Sequence, residues 1–327
     1  MSAPQTSVSV VLCTFNGELF LREQLQSILD QTWPPDEIVV SDDGSTDATL
    51  DIVREIRALN SSQGSPKWQV LTRASPMGVA GNFTSAIARA SGDVIVLSDQ
   101  DDVWEPHRIE RGLALLHDGA LLVHSDAWLI DDGGNSRGTL MAALDLTNRE
   151  RRALVSGHAL DVLLRRNVVT GATTMMRSSL ARQATPVPDG WIHDEWFALI
   201  AATQGGVVFC EETLIRYRQH GQNHIGASKT TFGGARRRLG ESRTEFFRHK
   251  LDRDKAISAI LADEPSWLGS QASSALAEKV EFDERRSALR ARRLERLGAV
   301  FSWWFRGDYD RYSRGYLDVV RDIFLTD

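Results

Sequence analysis

Val94-Ile95-Val96-Leu97-Ser98-Asp99-Gln100-Asp101-Asp102-Val103-Trp104 joins an apolar run directly to a cluster of acids, and the chain can be laid out on either side of it. Residues 94–97 predict a strand buried on both faces, as in a parallel sheet. Asp99, Asp101 and Asp102 then fall at its carboxyl end, where their charges repel one another. Ligands of open α/β sheets bind above that edge, so a cation is the economical way to neutralise the cluster. With neither Cys nor His beside them in the sequence, these oxygen ligands favour Mg2+ or Mn2+ over zinc. Taken alone, the same residues also suit a solvated acidic turn ahead of a helix with Pro106 near its first position.

Upstream, Val8 to Leu12 reads as a strand, and Glu18 to Gln31 repeats Leu21, Leu25 and Ile28 at helical spacing. Between them lies the polar turn Cys13-Thr14-Phe15-Asn16-Gly17. A second strand, Glu37 to Ser41, runs into Asp42-Asp43-Gly44-Ser45-Thr46-Asp47, where Ser45 or Thr46 can cap a helix carrying Ile52, Val53, Ile56 and Leu59. Trp68 to Thr72 is a third strand, and Gly78 to Ala90 a helix. This alternation predicts a right-handed parallel βαβ sheet whose carboxyl edge gathers all the polar clusters around one crevice.

Downstream, a helix over Pro106 to His117 and a strand over Ala120 to His124 precede an irregular segment to about Asn148. Ala159 to Leu164 reads as helix, Thr173 to Met176 as strand, and Pro186 to Gly190 as loop. Trp191-Ile192-His193-Asp194-Glu195-Trp196 then opens an apolar helix to Ala202. A strand from Val207 to Cys210 is followed by Tyr217-Arg218-Gln219-His220. Beyond about Ser228 only charged helical sequence remains.

The net charge of -6 over 327 residues argues against nucleic-acid binding. It is unevenly spread, about -9 over residues 1–230 and about +3 over 231–327, an asymmetry that can mark a surface meeting a membrane or another anion. Cys13 and Cys210 sit among apolar residues and read as buried thiols, not as a disulfide. The N-terminus lacks the basic and apolar regions of a signal peptide, and no apolar run approaches the roughly 18 residues of a membrane span. A cytoplasmic protein is therefore expected.

With these pieces in order, the chain resembles the family 2 glycosyltransferases. The likeness rests on residues 8–17, Gln31-Thr32-Trp33, residues 37–47 and Gly92 to Asp102. Ser98-Asp99-Gln100-Asp101-Asp102-Val103-Trp104 with the later His193-Asp194-Glu195-Trp196 and Tyr217-Arg218-Gln219-His220 is most similar to a bacterial rhamnosyltransferase-like subgroup. The resemblance implies the α/β GT-A fold, a Rossmann-like mixed sheet flanked by helices, with a C-terminal helical extension. Residues 1–230 would form the catalytic domain, with a nucleotide-sugar half over about 6–105 and an acceptor half over about 106–230; residues 231–327 would be the extension.

It further implies an inverting enzyme that moves a sugar from a nucleoside-diphosphate donor to a glycan or lipid-linked acceptor in cell-surface polysaccharide synthesis, the subgroup pointing to L-rhamnose from dTDP-rhamnose. Asp101, helped by Asp99, would hold Mg2+ or Mn2+ on the diphosphate, with Asp102 orienting both and His220 a further metal-ligand candidate. Thr14, Phe15, Asn16 and Asp43 would line the nucleotide, and Arg73, Asn82 and Asp99 would contact phosphate or sugar. Asp194 would be the catalytic base, in a partly dry pocket between Trp191 and Trp196. His193, Glu195 and the two tryptophans would shape the acceptor site, and Arg218 would reach the diphosphate from a closing loop.

A sugar nucleotidyltransferase is disfavoured because Cys13 to Glu18 is not a Gly-rich basic phosphate loop. A catalytically silent sugar-nucleotide-binding subunit would not need Asp99, Asp101 and Asp194. In the tail, Arg236-Arg237-Arg238, the arginines from 285 to 296 and the rings of Phe301, Trp303, Trp304 and Phe305 suit peripheral attachment to the inner face of a membrane. The alternative is that those rings pack on the catalytic domain or, in a homodimer, on a second copy.

Overall fold

Apolar strands alternating with amphipathic helices build the first half of the molecule. The computed structural model describes residues 6–62, 64–116, 119–220, 243–289 and 293–324. In chain order the first half contains β1 (Val8–Thr14), α1 (Leu21–Leu29), β2 (Glu37–Asp42), α2 (Thr49–Leu59), β3 (Lys67–Thr72), α3 (Gly78–Ile87) and β4 (Val94–Ser98). β1 pairs in parallel with β2 and β4, and β2 with β3. β1, β2 and β4 are buried along their whole length, which is why each carries an apolar run at its centre; β3 forms the partly exposed edge.

The second half turns the sheet into a mixed one. It adds β5 (Val103–Trp104), α4 (Arg108–Leu115), β6 (Leu122–Ile130), β7 (Ser136–Thr139), α5 (Leu140–Ala143), α6 (Asn148–Val155), α7 (Ala159–Leu163), β8 (Thr174–Arg177), α8 (Ser178–Gln183), α9 (His193–Ala202) and β9 (Val207–Arg218). Strand order is β3-β2-β1-β4-β8-β6-β9-β5, with β7 on β6. β8 runs antiparallel to β4, with Val96 opposite Met175, so the turn that precedes β8 lies at the carboxyl edge of β4. β6 is antiparallel to β8 and β9 parallel to β6, so β9 also delivers its carboxyl end to that edge.

Several elements here differ from expectation. β6 and β9 run on to Ile130 and Arg218, paired with each other over that length; on β9 the exposed Glu211 and Glu212 pair with Arg151 and Arg111 at 2.5 and 2.7 Å. Helix α6 lies just after the segment read as irregular. Its capping box, Thr147 with Glu150, is a sequence signature that was open to recognition.

Among the described residues five helices follow: α10 (Arg243–Asp263), α11 (Ser270–Ser287), α12 (Arg293–Phe305), α13 (Asp308–Tyr312) and α14 (Tyr316–Phe324). They surround a buried ionic network in which Lys250 pairs with Asp283 at 2.7 Å, and Arg286 with Asp322 at 2.6 Å. Of the tail aromatics, Trp303 packs edge-on against Phe282. Phe301, Trp304 and Phe305 instead cluster with one another on the exposed face of α12. Arg236, Arg237, Arg238, Arg290 and Arg292, like the expected boundary near residue 230, lie outside the described residues.

The helices are keyed to the sheet by Arg253. It pairs with Glu195 at 2.5 Å, lies 3.9 Å from the centroid of the Trp191 ring, and its carbonyl accepts from Trp191 Nε1 at 3.1 Å. Arg253→Ala leaves the mostly buried Glu195 uncompensated and is expected to destabilise the fold by roughly 1–3 kcal/mol, measured by urea denaturation.

Candidate active site

The carboxyl edge opens into a cavity of about 950 Å³. Its walls come from the loop after β1, the amino end of α3, the acidic turn after β4, the turn before β8, the amino end of α9, and Tyr217 and His220. Of the residues predicted from sequence, Thr14, Phe15, Asn16, Asp43, Asn82, Asp99, Asp101, His193, Asp194 and His220 line it.

On the nucleotide side the side chains largely hold backbone. Thr14 Oγ1 donates to Asp42 Oδ1 at 2.8 Å, and Asp42 also accepts from the Gly44 and Ser45 amides, a turn-forming role. Asn16, in the left-handed region at φ 49°, accepts from the Thr46 amide at 2.8 Å. Asp43 accepts from the Met77 and Gly78 amides at 2.8 and 2.9 Å, so its carboxylate caps α3 while facing the cavity. Asn82 is tied to Ser41 through both ends of its amide.

Sequence reasoning passed over Gln100, the residue between the two predicted metal-holding acids. Its amide brackets Phe15, accepting from Phe15 N at 2.8 Å and donating to Phe15 O at 3.0 Å. This strut fixes the loop after β1 to the acidic turn. A Cβ at Gly17 would stand 2.3 Å from Gln100 Oε1, which explains a glycine there.

The acidic side is electrostatically loaded. Asp99 is pushed up to about 7, first by burial and then by the charges of Asp101 and Asp194, with Arg108 opposing. Asp102 lies beneath the cavity wall; burial, then Asp101 and Asp99, hold its carboxyl well above the ordinary range, and it accepts from the Arg218 amide at 3.1 Å. Asp101 Oδ2 stands 2.7 Å from His220 Nε2. Behind them Arg108, 2% exposed, is drawn down to about 9 by burial, which the charges of Asp102 and Asp99 resist.

Across the cavity, Asp194 accepts from Gly171 N at 2.8 Å through Oδ2 and from Glu195 N at 2.7 Å through Oδ1. Burial raises it to about 6 despite those two amides. His193 stacks on Phe83 with centroids 4.2 Å apart, and burial lowers it to about 3, so it is neutral. Gly171 is the close approach here, since a Cβ would meet His193 Nε2 at 3.0 Å.

Five expected contacts are not on the cavity wall. Arg73 donates to Ser85 Oγ at 2.5 Å, turned back along the sheet. Trp191 and Trp196 are buried core residues, packed on each other, and Trp196 donates to Ala184 O. They do not form an aromatic acceptor platform. Glu195 points to Arg253. Arg218, 3% exposed, pairs with Glu23 at 2.6 Å and donates to Asp101 O at 2.8 Å and to the carbonyls of Asp131 and Asp132. It therefore braces the acidic turn instead of reaching for a diphosphate.

A mixed α/β sheet with this crevice is the GT-A fold of glycosyltransferases, and the protein is a glycosyltransferase. The chain belongs to glycosyl transferase family 2, whose model matches residues 9–181. An uncharacterized glycosyltransferase of Nostoc sp. strain PCC 7120 is 27% identical over 234 residues, covering 68% of each chain. The dTDP-rhamnosyl transferase RfbG of Shigella flexneri is 26% identical over 266 residues, 80% of this chain and 87% of its own. S. aureus TarS 1-349, solved with UDP-GlcNAc, superposes with a TM-score of 0.56 at 15% identity, covering 97% of this chain and 81% of that one. The mannosyltransferase PcManGT of Pyrobaculum calidifontis, solved with GDP-Man and Mn2+, gives 0.52 at 16% identity, covering 97% and 78%.

Gly17→Ala drives its methyl into Gln100 and should cost roughly 1–3 kcal/mol of stability. In a double-mutant cycle with Gln100→Ala, followed by thermal melting, the pair should be less destabilised than the two single variants added together. Strict additivity would mean that the strut is not what Gly17 accommodates.

Proposed function

We propose that the cavity binds a nucleoside-diphosphate sugar and that Asp194 serves as general base in an inverting, single-displacement transfer to an acceptor hydroxyl. The observation that carries this reading is the pairing of two unlike acidic sites on one cavity: a crowded cluster at Asp99 and Asp101, and a lone, buried Asp194 with a carboxyl near 6. A base of that strength is ionised at neutral pH yet accepts a proton more readily than a free carboxylate.

In the transfer, the acceptor oxygen attacks C1 of the donor sugar as its proton passes to an Asp194 oxygen. The bond from C1 to the diphosphate breaks, and the nucleoside diphosphate leaves with the electron pair. The amides of Gly171 and Glu195 hold the Asp194 carboxylate in place for this.

The residues fit a divalent cation. Among the described residues no three His, Cys, Asp or Glu side chains form a metal cage. Asp99 and Asp101 instead offer hard oxygen donors, with the borderline His220 nitrogen beside Asp101, a partial set suited to a cation that takes its other ligands from diphosphate and water. Burial first, and then the charges of Asp101 and Asp194, lift Asp99 to about 7, and a cation there would relieve that strain; the Mn2+ in the PcManGT complex supports the same chemistry. When bound, the cation supplies charge stabilisation to the departing diphosphate.

The Shigella relative favours dTDP-rhamnose as the first donor to try, with a glycan or lipid-linked hydroxyl as acceptor. A panel of nucleotide sugars with Mn2+, read by thermal shift, identifies the donor because a ligand of the native state raises its melting temperature. Asp194→Asn should lower kcat by roughly 10²–10⁴ with donor affinity retained, and the wild-type kcat should rise with pH through about 6 as Asp194 ionises. Loss of donor affinity at unchanged kcat would assign the base elsewhere. Asp101→Ala or a chelator should abolish transfer; full activity in the presence of chelator would remove the cation from the mechanism.

A further inference from the structure

Arg108 opens α4 and is not among the residues that line the cavity, yet it touches the strand that ends in the acidic run and the turn that holds Asp194. Its Nη2 donates to Leu97 O at 3.2 Å, two residues before Asp99 at the end of β4. The same nitrogen donates to Ala172 O at 2.7 Å. Ala172 is the middle of the Gly171–Thr173 turn, whose first amide holds Asp194 Oδ2. The guanidinium lies over the Trp104 ring, 3.9 Å from its centroid, in the strand that follows the acidic run.

Anchoring α4 alone would not require this residue. Removing a guanidinium from water is unfavourable, and an apolar side chain would fill the space without that penalty. What arginine adds is a flat cation able to stack on an indole while one nitrogen reaches two carbonyls. Those carbonyls belong to the two walls whose separation sets the distance between the donor-side acids and Asp194.

We propose that Arg108 is a positioning residue that fixes Asp194 relative to the acidic end of β4 by bridging Leu97 and Ala172 while stacked on Trp104. This rests on the reading of Asp194 as the base. Arg108 contacts neither donor nor acceptor, so its loss acts on the geometry of proton removal and leaves the nucleotide loops, which are held by Gln100 and Asp43, in place.

Arg108→Lys keeps the charge but cannot both stack and reach the two carbonyls; Arg108→Met removes the charge at similar volume. Three measurements on the full chain test the role. Hydrogen exchange of residues 170–174 needs no ligand and should be roughly tenfold faster in Arg108→Lys. Nucleoside diphosphate release from saturating UDP-glucose, GDP-mannose and dTDP-rhamnose should fall roughly tenfold or more. Calorimetric affinities for UDP, GDP and dTDP with Mn2+ should stay within about threefold of wild type. Should Arg108→Met fail to fold, Arg108→Lys alone carries the test.

Unchanged exchange at the turn overturns the proposal, as does a kcat equal to wild type. Parallel losses of kcat and nucleotide affinity also overturn it, because they describe a general scaffold. Asp194→Asn measured alongside separates the two readings: if it retains kcat, the base assignment fails. If it is inactive while Arg108→Lys is not, only the positioning role fails.

Discussion

Repulsion among carboxylates at the end of β4 is the constraint on which the rest of the site depends. Asp99, Asp101 and Asp102 follow a fully buried strand, and Asp194 approaches closely enough to raise Asp99. No flexible loop would hold such a cluster. It persists because β4 is locked between β1 and β8, because Arg218 grips the backbone and carboxylate of the turn from beneath, and because Arg108 places a cation behind it. The surrounding packing over-determines an arrangement that electrostatics alone would disperse.

Antiparallel insertion of β8 supplies the other half of the site. A purely parallel continuation would bring another helix-bound loop to the edge. The reversed strand instead brings a tight turn, Gly171–Thr173, whose amide is aimed at Asp194. Asp194, the proposed base, is thus held by the backbone of the turn that leads into the sheet, while its own helix, α9, is buried along almost its whole length. Sites built on such elements hold geometry more tightly than sites on free loops.

The first half was legible in the sequence because β1, β2 and β4 are buried on both faces and carry short apolar runs that end in polar turns. The acceptor half was only partly legible. β6 buries His124 and Ser125 among its apolar residues, and β9 exposes Glu211, Glu212 and Arg216, so polar residues inside both strands hid their true length. Trp191 and Trp196 flank Asp194 in sequence, but the local pattern cannot say whether an aromatic faces a ligand or the core. Arg253, in a helix far along the chain, covers Trp191 and decides the matter. Arg218 misled for the same reason: its partners Glu23, Asp101, Asp131 and Asp132 are distant in sequence. Gln100 was hidden in plain view, since only the register of the loop after β1 reveals what its amide meets.

Most donor-side polar groups are already engaged with backbone before any ligand arrives. Asp43 caps α3, Asn16 holds the Thr46 amide, Asn82 is bound to Ser41, and Gln100 brackets Phe15. A cavity prepared in this way loses little conformational freedom on binding. The reactive side is built on the opposite principle. Asp99 and Asp194 are both held away from their ordinary ionisation by burial, and Asp99 also by like charge. Rigidity on one wall and stored electrostatic strain on the other are complementary. Arg108 belongs to the second wall, where it joins the end of β4 to the turn that holds Asp194.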